Sequence, residues 1–496
     1  MNPLISSLTT TALKGKITVA GDKSISHRAL IFSSLANGIS NISGLLEGED
    51  VLRTATALKK MGARIKRLET KNENNIWQVN GVGYAGLQKP DSILDMGNSG
   101  TSTRLLMGLV TPFNFSTSFT GDDSLIKRPM KRVFEPLKEI GAEIIARDEN
   151  LLPATIIGTD EPMPITYEMK VASAQIKSAI MLAALNINGT TTIIEPEKCR
   201  DHTEIMMQYL GLDIEVIESS SPYLEGSSLP QQTMGVECSP YLGGASLRQQ
   251  TMGVDTGSPY LEGSSLPQQT MGVRKIIING CNDFAAKDFV VPGDISSAAF
   301  IIVAALITPN SKIKINNVGV NPLRDGIITT LKEMGGNIEL INQRLVGGEK
   351  VADIVVEYSQ LKGIEVPARR APSMIDEYPI LSVAAANAKG ITKMNGLAEL
   401  KVKESNRLAA IADGLKACGV EAKVGEDSLE VIGGIKEQQN IAQIKTHLDH
   451  RIAMSFLIMG LRVKSGVQID DCEMIKTSFP NFMQIFSSFG VEFKNA

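Results

Sequence analysis

Nine short polar clusters hold most of the residues in this chain that could do chemistry, and several of them follow a strand and a glycine turn and open a helix. In ITVAGDKSISHRALIF, Gly21 turns the chain and Ser24 can cap, while Lys23 and Arg28 lie near the helix start. Free backbone N–H groups and the helix dipole favour an anion there. In ILDMGNSGTSTRLLMGL, Gly97 and Gly100 stand among Asn98, Ser99, Thr101, Ser102 and Thr103, a set of backbone and hydroxyl donors suited to a carboxylate or phosphate. Lys127 and Arg128 follow in LIKRPM, Ser173 and Gln175 in ASAQIKSA, and Arg200, Asp201 and His202 in CRDHTE. The second half adds Asp294 in VPGDISS, Asp376 and Glu377 in MIDEYPIL, Lys403, Glu404 and Arg407 in KVKESNRL, and Arg451 in HLDHRIAMSF. Basic side chains thus stand beside helix starts in both halves. A cleft between two lobes, lined by them, would bind small substrates carrying several negative charges.

Other chemistries find no support. A nucleotide P-loop needs four residues between its glycines and a contiguous Gly-Lys pair, whereas five residues separate Gly15 from Gly21 and Asp22 splits the pair. Gly81, Gly83 and Gly86 spell G-x-G-x-x-G, but Lys89 and Pro90 follow and no helix opens, so no dinucleotide site is expected. His447, Asp449 and His450 do not share a helical face at metal-ligand spacing, and no metal or cofactor is expected. No G-x-S-x-G elbow is present. The 50 Lys and Arg against 54 Asp and Glu give a formal charge of -4, which argues against a nucleic-acid partner. The longest apolar run, residues 298–307, is half the ~20 needed to cross a bilayer, and the first residues do not read as a secretory signal. Five scattered cysteines, Cys199, Cys238, Cys281, Cys418 and Cys472, fit a reducing compartment, so a cytoplasmic protein is expected.

The elements that must position these clusters repeat. Six times a helical pattern closes on glycine and an alternating strand follows: LKKMGARI, LKEIGAEI, MQYLGLDI, LKEMGGNI, LKACGVEA and FSSFGVEF, at Gly62, Gly141, Gly211, Gly335, Gly419 and Gly490. A left-handed residue just past a helix end is where glycine has a steric advantage. The steps are 79, 70, 124, 84 and 71, and the long one falls to 71 once residues 221–273 are set aside. Those residues hold three near-copies of SPYLEGSSLPQQTMGV and are rich in Ser, Gly, Gln and Pro. They lie between IEVIE and RKIIING, two segments expected to form a hairpin with the block at its tip, and the triplication reads as a tandem duplication or an engineered insert. Six copies of one αβ unit of 70 to 84 residues are expected, each long enough for two strand–helix passages and a hairpin.

Together GDKSISHRAL, GNSGTSTRLLMGL, IKRPM, ASAQIKSA, RDHTE, PGDISSAAF, IDEYPIL, VKESNRL and DHRIAMSF resemble the 5-enolpyruvylshikimate-3-phosphate synthase family, in the manner of its class II bacterial members. The resemblance covers nearly the whole chain outside 221–273. It implies an α/β fold of two lobes, each of three βαβαββ units around a pseudo-threefold axis, with one lobe built from residues 1–20 plus 292–496 and the other from 21–291. It implies transfer of the enolpyruvyl group of phosphoenolpyruvate to the 5-hydroxyl of shikimate 3-phosphate, with phosphate released through a tetrahedral intermediate and without metal or cofactor. Carried onto matching positions, Lys23 would touch both substrates, and Ser24, Arg28, Ser173, Ala174 and Arg200 would hold shikimate 3-phosphate. Gly100, Arg128, Gln175, Arg407 and Arg451 would hold phosphoenolpyruvate, with Asn98 shaping the same pocket. Asp376 resembles the base for the 5-hydroxyl; Lys403 and Glu404 would flank the reacting carbons, Glu404 as proton donor to the methylene. One acid and one base, ringed by cations, suit addition across an enol ether.

Asn406 stands where relatives commonly carry Asp, and Lys476 in IKTSFP falls one residue away from a phosphoenolpyruvate-binding lysine of other members. Gly100 stands where glyphosate-tolerant relatives carry alanine, so glyphosate is an expected inhibitor. A monomer is expected. Two rivals stand against this reading. The sister transferase acting on UDP-N-acetylglucosamine places a reactive cysteine in a first-lobe loop, and between Thr111 and Lys131 this chain has none. A non-catalytic phospho-anion or RNA-end binding protein would not need both Asp376 and Glu404 among cations.

Overall fold

A computed structural model of the chain describes residues 2–69, 75–218, 274–280 and 283–496. Among them it forms six four-stranded sheets and 13 α-helices. All six sheets share one order: a first strand runs parallel to a second, the second pairs antiparallel with a fourth, and the fourth with a third. The unit that opens with strand Leu94–Asp95 shows why. Helix Gly100–Val110 carries the chain to the parallel strand Ser116–Thr120, helix Lys131–Ile140 carries it on, and strands Glu143–Arg147 and Leu151–Ile157 close as a hairpin. Parallel neighbours require a crossover of helical length, whereas antiparallel ones need only a tight turn.

Three strands come from far along the chain. Phe289–Val290 lies parallel to Asn37–Ser43 and supplies the first strand of the unit at residues 37–82. Lys14–Thr18 does the same for Lys312–Gly319. Leu4–Ser6 sits between Val467–Ile469 and Lys494–Asn495, so one end of the described chain completes a sheet built from the other.

The first helix of each unit is buried nearly all round. In Ile295–Ile307 every residue is buried, so the apolar run seen in the sequence is a core helix; among the described residues no helix is long and apolar enough to cross a membrane. These helices pack closely. A Cβ at Gly108 would lie 2.1 Å from the carbonyl oxygen of Ala179 in helix Ala174–Ala184, an approach only glycine permits. The second helices are the ones that end in glycine. All six glycines take φ between 77° and 119°, and the residue after each donates back to a carbonyl five residues earlier, as Ala142 does to Leu137 at 3.0 Å.

Two separate hydrophobic cores result, one from Leu4 to Val19 with Ile295 to Val491, the other from Ile25 to Val291. Between them two backbone stretches run side by side, Asp22 N donating to Pro292 O at 2.8 Å and Asp294 N to Ala20 O at 2.9 Å. Asp22 and Asp294 each cap a helix, and the wholly buried Arg324 lies between them, 3.5 Å from the first and 3.3 Å from the second. Strands Ile214–Glu218 and Arg274–Asn279 pair as a hairpin with Glu218 opposite Arg274. The triplicated block 221–273 lies outside the described residues.

Candidate active site

The polar clusters open helices, and the caps explain how each is held. Asp22 accepts from Ile25 N at 2.9 Å at the start of helix Lys23–Leu35; Ser99 accepts from Ser102 N at 3.3 Å at the start of Gly100–Val110. Ser173 caps Ala174–Ala184, Asn406 caps Arg407–Ala417 through Ala409 N at 3.2 Å, and Asp449 caps His450–Gly460 through Arg451 N at 2.9 Å. A cap is chemistry that Asn performs as well as Asp. The Asn406 departure therefore leaves that helix start intact.

These starts meet where the two cores face each other. Asp376, just ahead of helix Tyr378–Ala386, receives Arg200 Nη2 on Oδ2 at 2.6 Å, and Arg407 Nη1 and Lys403 Nζ on Oδ1 at 3.1 and 3.4 Å. Arg451 Nη1 donates to its backbone carbonyl at 3.1 Å. Burial alone would raise the carboxyl, but Lys403, Arg200, Arg451 and Arg407 together hold it well below the usual range, ionised and able to accept a proton. Arg407, wholly buried, also pairs with Glu404, and its Nε donates to Asp449 Oδ2 at 2.7 Å. Glu404 is likewise held low: burial opposes, while Arg407 and Arg128 outweigh it.

A cleft of about 410 Å³ opens beside Glu404, with Lys23, Asp50, Asn98, Asp122 and His450 in its wall. Lys23 is paired with Asp50. On the far side, Arg128 donates to Asn98 Oδ1 at 2.5 Å and to Ser124 Oγ at 3.0 Å, and Asn98 donates to Asp122 at 2.7 Å. Arg104 donates to Gln175 Oε1 at 2.9 Å, and Gln175 donates on to Thr101 Oγ1 at 3.0 Å. The acceptors of Arg104 and Arg128 are neutral. Burial first, then Arg128 and Arg132, press Arg104 down to about 10. A bound anion would relieve that cost, so this corner beside the Gly100 helix start is where negative charge is most wanted.

Arg28 lies deeper. Its Nε donates to Thr203 Oγ1 at 2.7 Å and its Nη2 to Ser178 Oγ at 2.6 Å, with Ser24 O accepting from Nη1 at 3.0 Å. Burial lowers it to about 10, against Glu204, Asp22 and Glu349. Ser24, Ser173 and Ala174 stand half-buried at neighbouring helix starts.

The structure thus brings Lys23, Asn98, Gly100, Arg128 and Gln175 from one lobe towards Asp376, Lys403, Glu404, Arg407 and Arg451 from the other, with Arg200 spanning the two. Two basic residues stay outside. Lys127 is exposed, and Lys476 points to Glu473 at 3.0 Å on the surface. Nothing in the sequence pattern marks Asp50, Arg104 or Asp122, and His450 stands out there only as a false metal ligand. His450 in fact faces Glu404 as a buried imidazole held well below its ordinary value, by burial first and then by Arg451 and Lys23. Its signal was its place directly after the Asp449 cap, one residue before Arg451. Among the described residues no cluster of three or more His, Cys, Asp or Glu could hold a metal.

A family model described as EPSP synthase (3-phosphoshikimate 1-carboxyvinyltransferase) matches residues 8–240 and 261–486. The 3-phosphoshikimate 1-carboxyvinyltransferase of Paramagnetospirillum magneticum is 47% identical over 98% of this chain and 97% of its own, and that of Chelativorans sp. 48% over 97% and 96%. The solved EPSP synthase from Acinetobacter baumannii is similar with a TM-score of 0.78 at 37% identity, all of each chain being covered. The enolpyruvyl transferase NikO from Streptomyces tendae, 14% identical with a TM-score of 0.71, shares the fold.

Proposed function

Because the chain belongs to the EPSP synthase (3-phosphoshikimate 1-carboxyvinyltransferase) family, we propose that the site just described carries out that family's reaction with the residues named below. The enzyme transfers the enolpyruvyl group of phosphoenolpyruvate to the 5-hydroxyl of shikimate 3-phosphate and releases phosphate, on the two-lobed fold of the enolpyruvyl transferases. The observation that carries the assignment of roles is Asp376, a carboxylate kept ionised by Arg200, Lys403, Arg407 and Arg451 on the lobe facing Lys23 and Arg128.

Asp376 takes the proton of the 5-hydroxyl as its oxygen attacks C2 of phosphoenolpyruvate, and Glu404 gives a proton to C3, which becomes a methyl group. In the second half Glu404 removes a proton from that methyl, the double bond re-forms, and phosphate leaves with the proton that Asp376 had taken. Arg128, Arg407 and Arg451, with Gly100, Gln175 and Asn98, hold phosphoenolpyruvate. Ser24, Arg28, Ser173, Ala174 and Arg200 hold shikimate 3-phosphate, and Lys23 reaches both. Preorganised cations around developing charge supply the largest stabilising term.

The division into residues 1–20 plus 292–496 and 21–291 belongs to the same reading, and the composition of the two cores supports it. To the same reading belong a class II bacterial type, on the nine motifs taken together; a monomer; glyphosate as inhibitor, on Gly100; and a cytoplasmic setting, on the free thiols of Cys199, Cys418 and Cys472. The test is phosphate release with shikimate 3-phosphate and phosphoenolpyruvate, repeated with UDP-N-acetylglucosamine as acceptor. Release with the first acceptor alone is expected; release only with the second would overturn the assignment.

A further inference from the structure

Three consecutive residues each reach across to the other lobe. Arg200 Nη2 donates to Asp376 at 2.6 Å, Asp201 Oδ1 accepts from Asn321 Nδ2 at 2.7 Å, and His202 Nδ1 lies 2.6 Å from Glu349 Oε1. Asn321 Nδ2 also reaches Glu349 Oε2 at 3.3 Å, so Asp201, Asn321, Glu349 and His202 form a closed ring with two members from each lobe. His202, Asn321 and Glu349 are buried, at 2%, 4% and 2% exposure. Behind the ring, Arg274 Nη1 pairs with Glu195 at 2.7 Å and Glu204 at 3.0 Å, and its Nη2 lies 3.9 Å from Asp201.

Arg200 itself is held differently. Its one side-chain hydrogen bond among the described residues goes to Asp376, so where its guanidinium stands depends on where its backbone is held. The next two residues hold that backbone, and they hold it to the lobe that carries Asp376. We infer that Asp201 and His202, through Asn321 and Glu349, are positioning residues that set Arg200 against Asp376 and shikimate 3-phosphate. The inference rests on the roles given above to Arg200 and Asp376. Buried hydrogen bonds of this kind are costly to break one-sidedly, because the partner left behind stays unsatisfied.

The consequence can be read separately from stability. The charged groups around Asp376 are Arg200, Lys403, Arg407 and Arg451, with Arg324 behind it, the buried Glu377 beside it on Arg451, and Glu404 across the site. Letting Arg200 drift removes one cation from a carboxylate that must be ionised to act. Its proton affinity then rises, and the acid limb of kcat/KM moves to higher pH.

The test is steady-state kinetics of the full chain across pH, with thermal melting alongside. His202→Leu and Glu349→Leu should each raise KM for shikimate 3-phosphate about tenfold, the loss of one buried charge-assisted bond, leave KM for phosphoenolpyruvate within about twofold, and move the acid limb upward. His202→Asn places an amide nitrogen near the Nδ1 position and should restore near wild-type values. If the leucine variants do not fold, Asn321→Ala and Asp201→Asn read the same quantities. Variants that lower the melting temperature but leave KM and the acid limb unchanged, or raise both KM values alike, overturn the inference. Arg200→Ala separates the two levels. If it keeps the wild-type KM for shikimate 3-phosphate, the role of Arg200 falls and the inference with it; if it raises that KM while the ring variants do not, only the inference falls.

Discussion

Arg407 and Asp449 are both wholly buried and joined by a salt link, Nε to Oδ2 at 2.7 Å. The same carboxylate accepts from Ser405 Oγ at 3.0 Å and caps the helix that presents His450 and Arg451. One acid therefore fixes three helix-start groups at once. Asp449→Ala should cost about 2 to 3 kcal/mol of stability, since it takes one of three carboxylates from the buried guanidinium of Arg407 and removes a helix cap, and should raise KM for phosphoenolpyruvate more than that for shikimate 3-phosphate. Denaturant unfolding and kinetics check both parts; an equal rise in the two KM values would count against the positioning role.

Gly100 sets the width of the anion corner. A Cβ there would stand 2.8 Å from Arg104 Nη1 and 3.5 Å from Arg128 Nη1, so the guanidinium of Arg104 must shift to admit it. Gly100→Ala should weaken glyphosate, which is longer than phosphoenolpyruvate, by more than about tenfold, with a smaller rise in KM for phosphoenolpyruvate. Inhibition curves at fixed phosphoenolpyruvate decide it, and an unchanged inhibition constant would dispose of the steric account.

Glu404 presents a proton-balance question. Without substrate it is ionised, held there by Arg407 and Arg128, yet its proposed role needs a proton. A phosphoenolpyruvate carboxylate and phosphate on Arg407 and Arg128 would neutralise that support and raise the carboxyl. Formation of the ternary complex with shikimate 3-phosphate and an unreactive phosphoenolpyruvate analogue should take up about one proton, seen by calorimetry in two buffers of different ionisation enthalpy. Uptake should vanish in Glu404→Gln. Equal heats in both buffers for the wild-type enzyme would show that the proton comes from elsewhere.

Asp22 and Asp294 share one guanidinium, and Arg324 cannot serve both equally. Asp22 is lowered, while Asp294, desolvated and facing Asp22, is raised to about 6. A raised acid binds its proton more tightly in the folded state than in the unfolded chain. Its contribution to stability is therefore fullest below the unfolded value near 4 and is lost as pH climbs to about 6, amounting to at most about 3 kcal/mol. Asp294→Asn, which can still cap, should flatten that slope in unfolding measured at pH 4.5 and 7. An identical slope in the variant would refute it.

Glu218 and Arg274 are register partners, so the chain leaves and re-enters the sheet at adjacent positions. Removing residues 221–273 leaves Ser219 and Ser220 to join them, a hairpin loop of the commonest length. Activity and melting temperature should stay close to those of the full chain. A large loss of either would mean that the block packs or participates.

Much of this was legible in the sequence because it is local. The glycines that end the second helices announce themselves by a left-handed requirement, and all six adopt it. The caps, the lysines and the arginines at helix starts are likewise local, which is why Lys23, Arg128, Arg407 and Arg451 could be picked out. What was not legible is who answers them. Asp50 beneath Lys23 and Asp449 behind Arg407 are partners set by packing, and neither has a spacing that betrays it. Arg104 looks like any polar residue one turn into a helix. His450 shows in the sequence only as part of a poor metal-ligand spacing. The strand Phe289–Val290 has only two residues, too few for alternation to show, and its partner lies some 250 positions away.

The placement of Leu4–Ser6 between Val467–Ile469 and Lys494–Asn495 also dictates an order of events during synthesis. The lobe spanning residues 25–291 can condense as soon as Val291 has cleared the ribosome. The strand Leu4–Ser6 must wait for partners more than 450 residues downstream and Lys14–Thr18 for one about 300 downstream, delays on the order of a minute at about 5 to 20 residues per second. Throughout that interval their backbone donors and acceptors lie open to any other strand edge. Translation rate and chaperone supply should therefore govern the yield of the second lobe far more than that of the first.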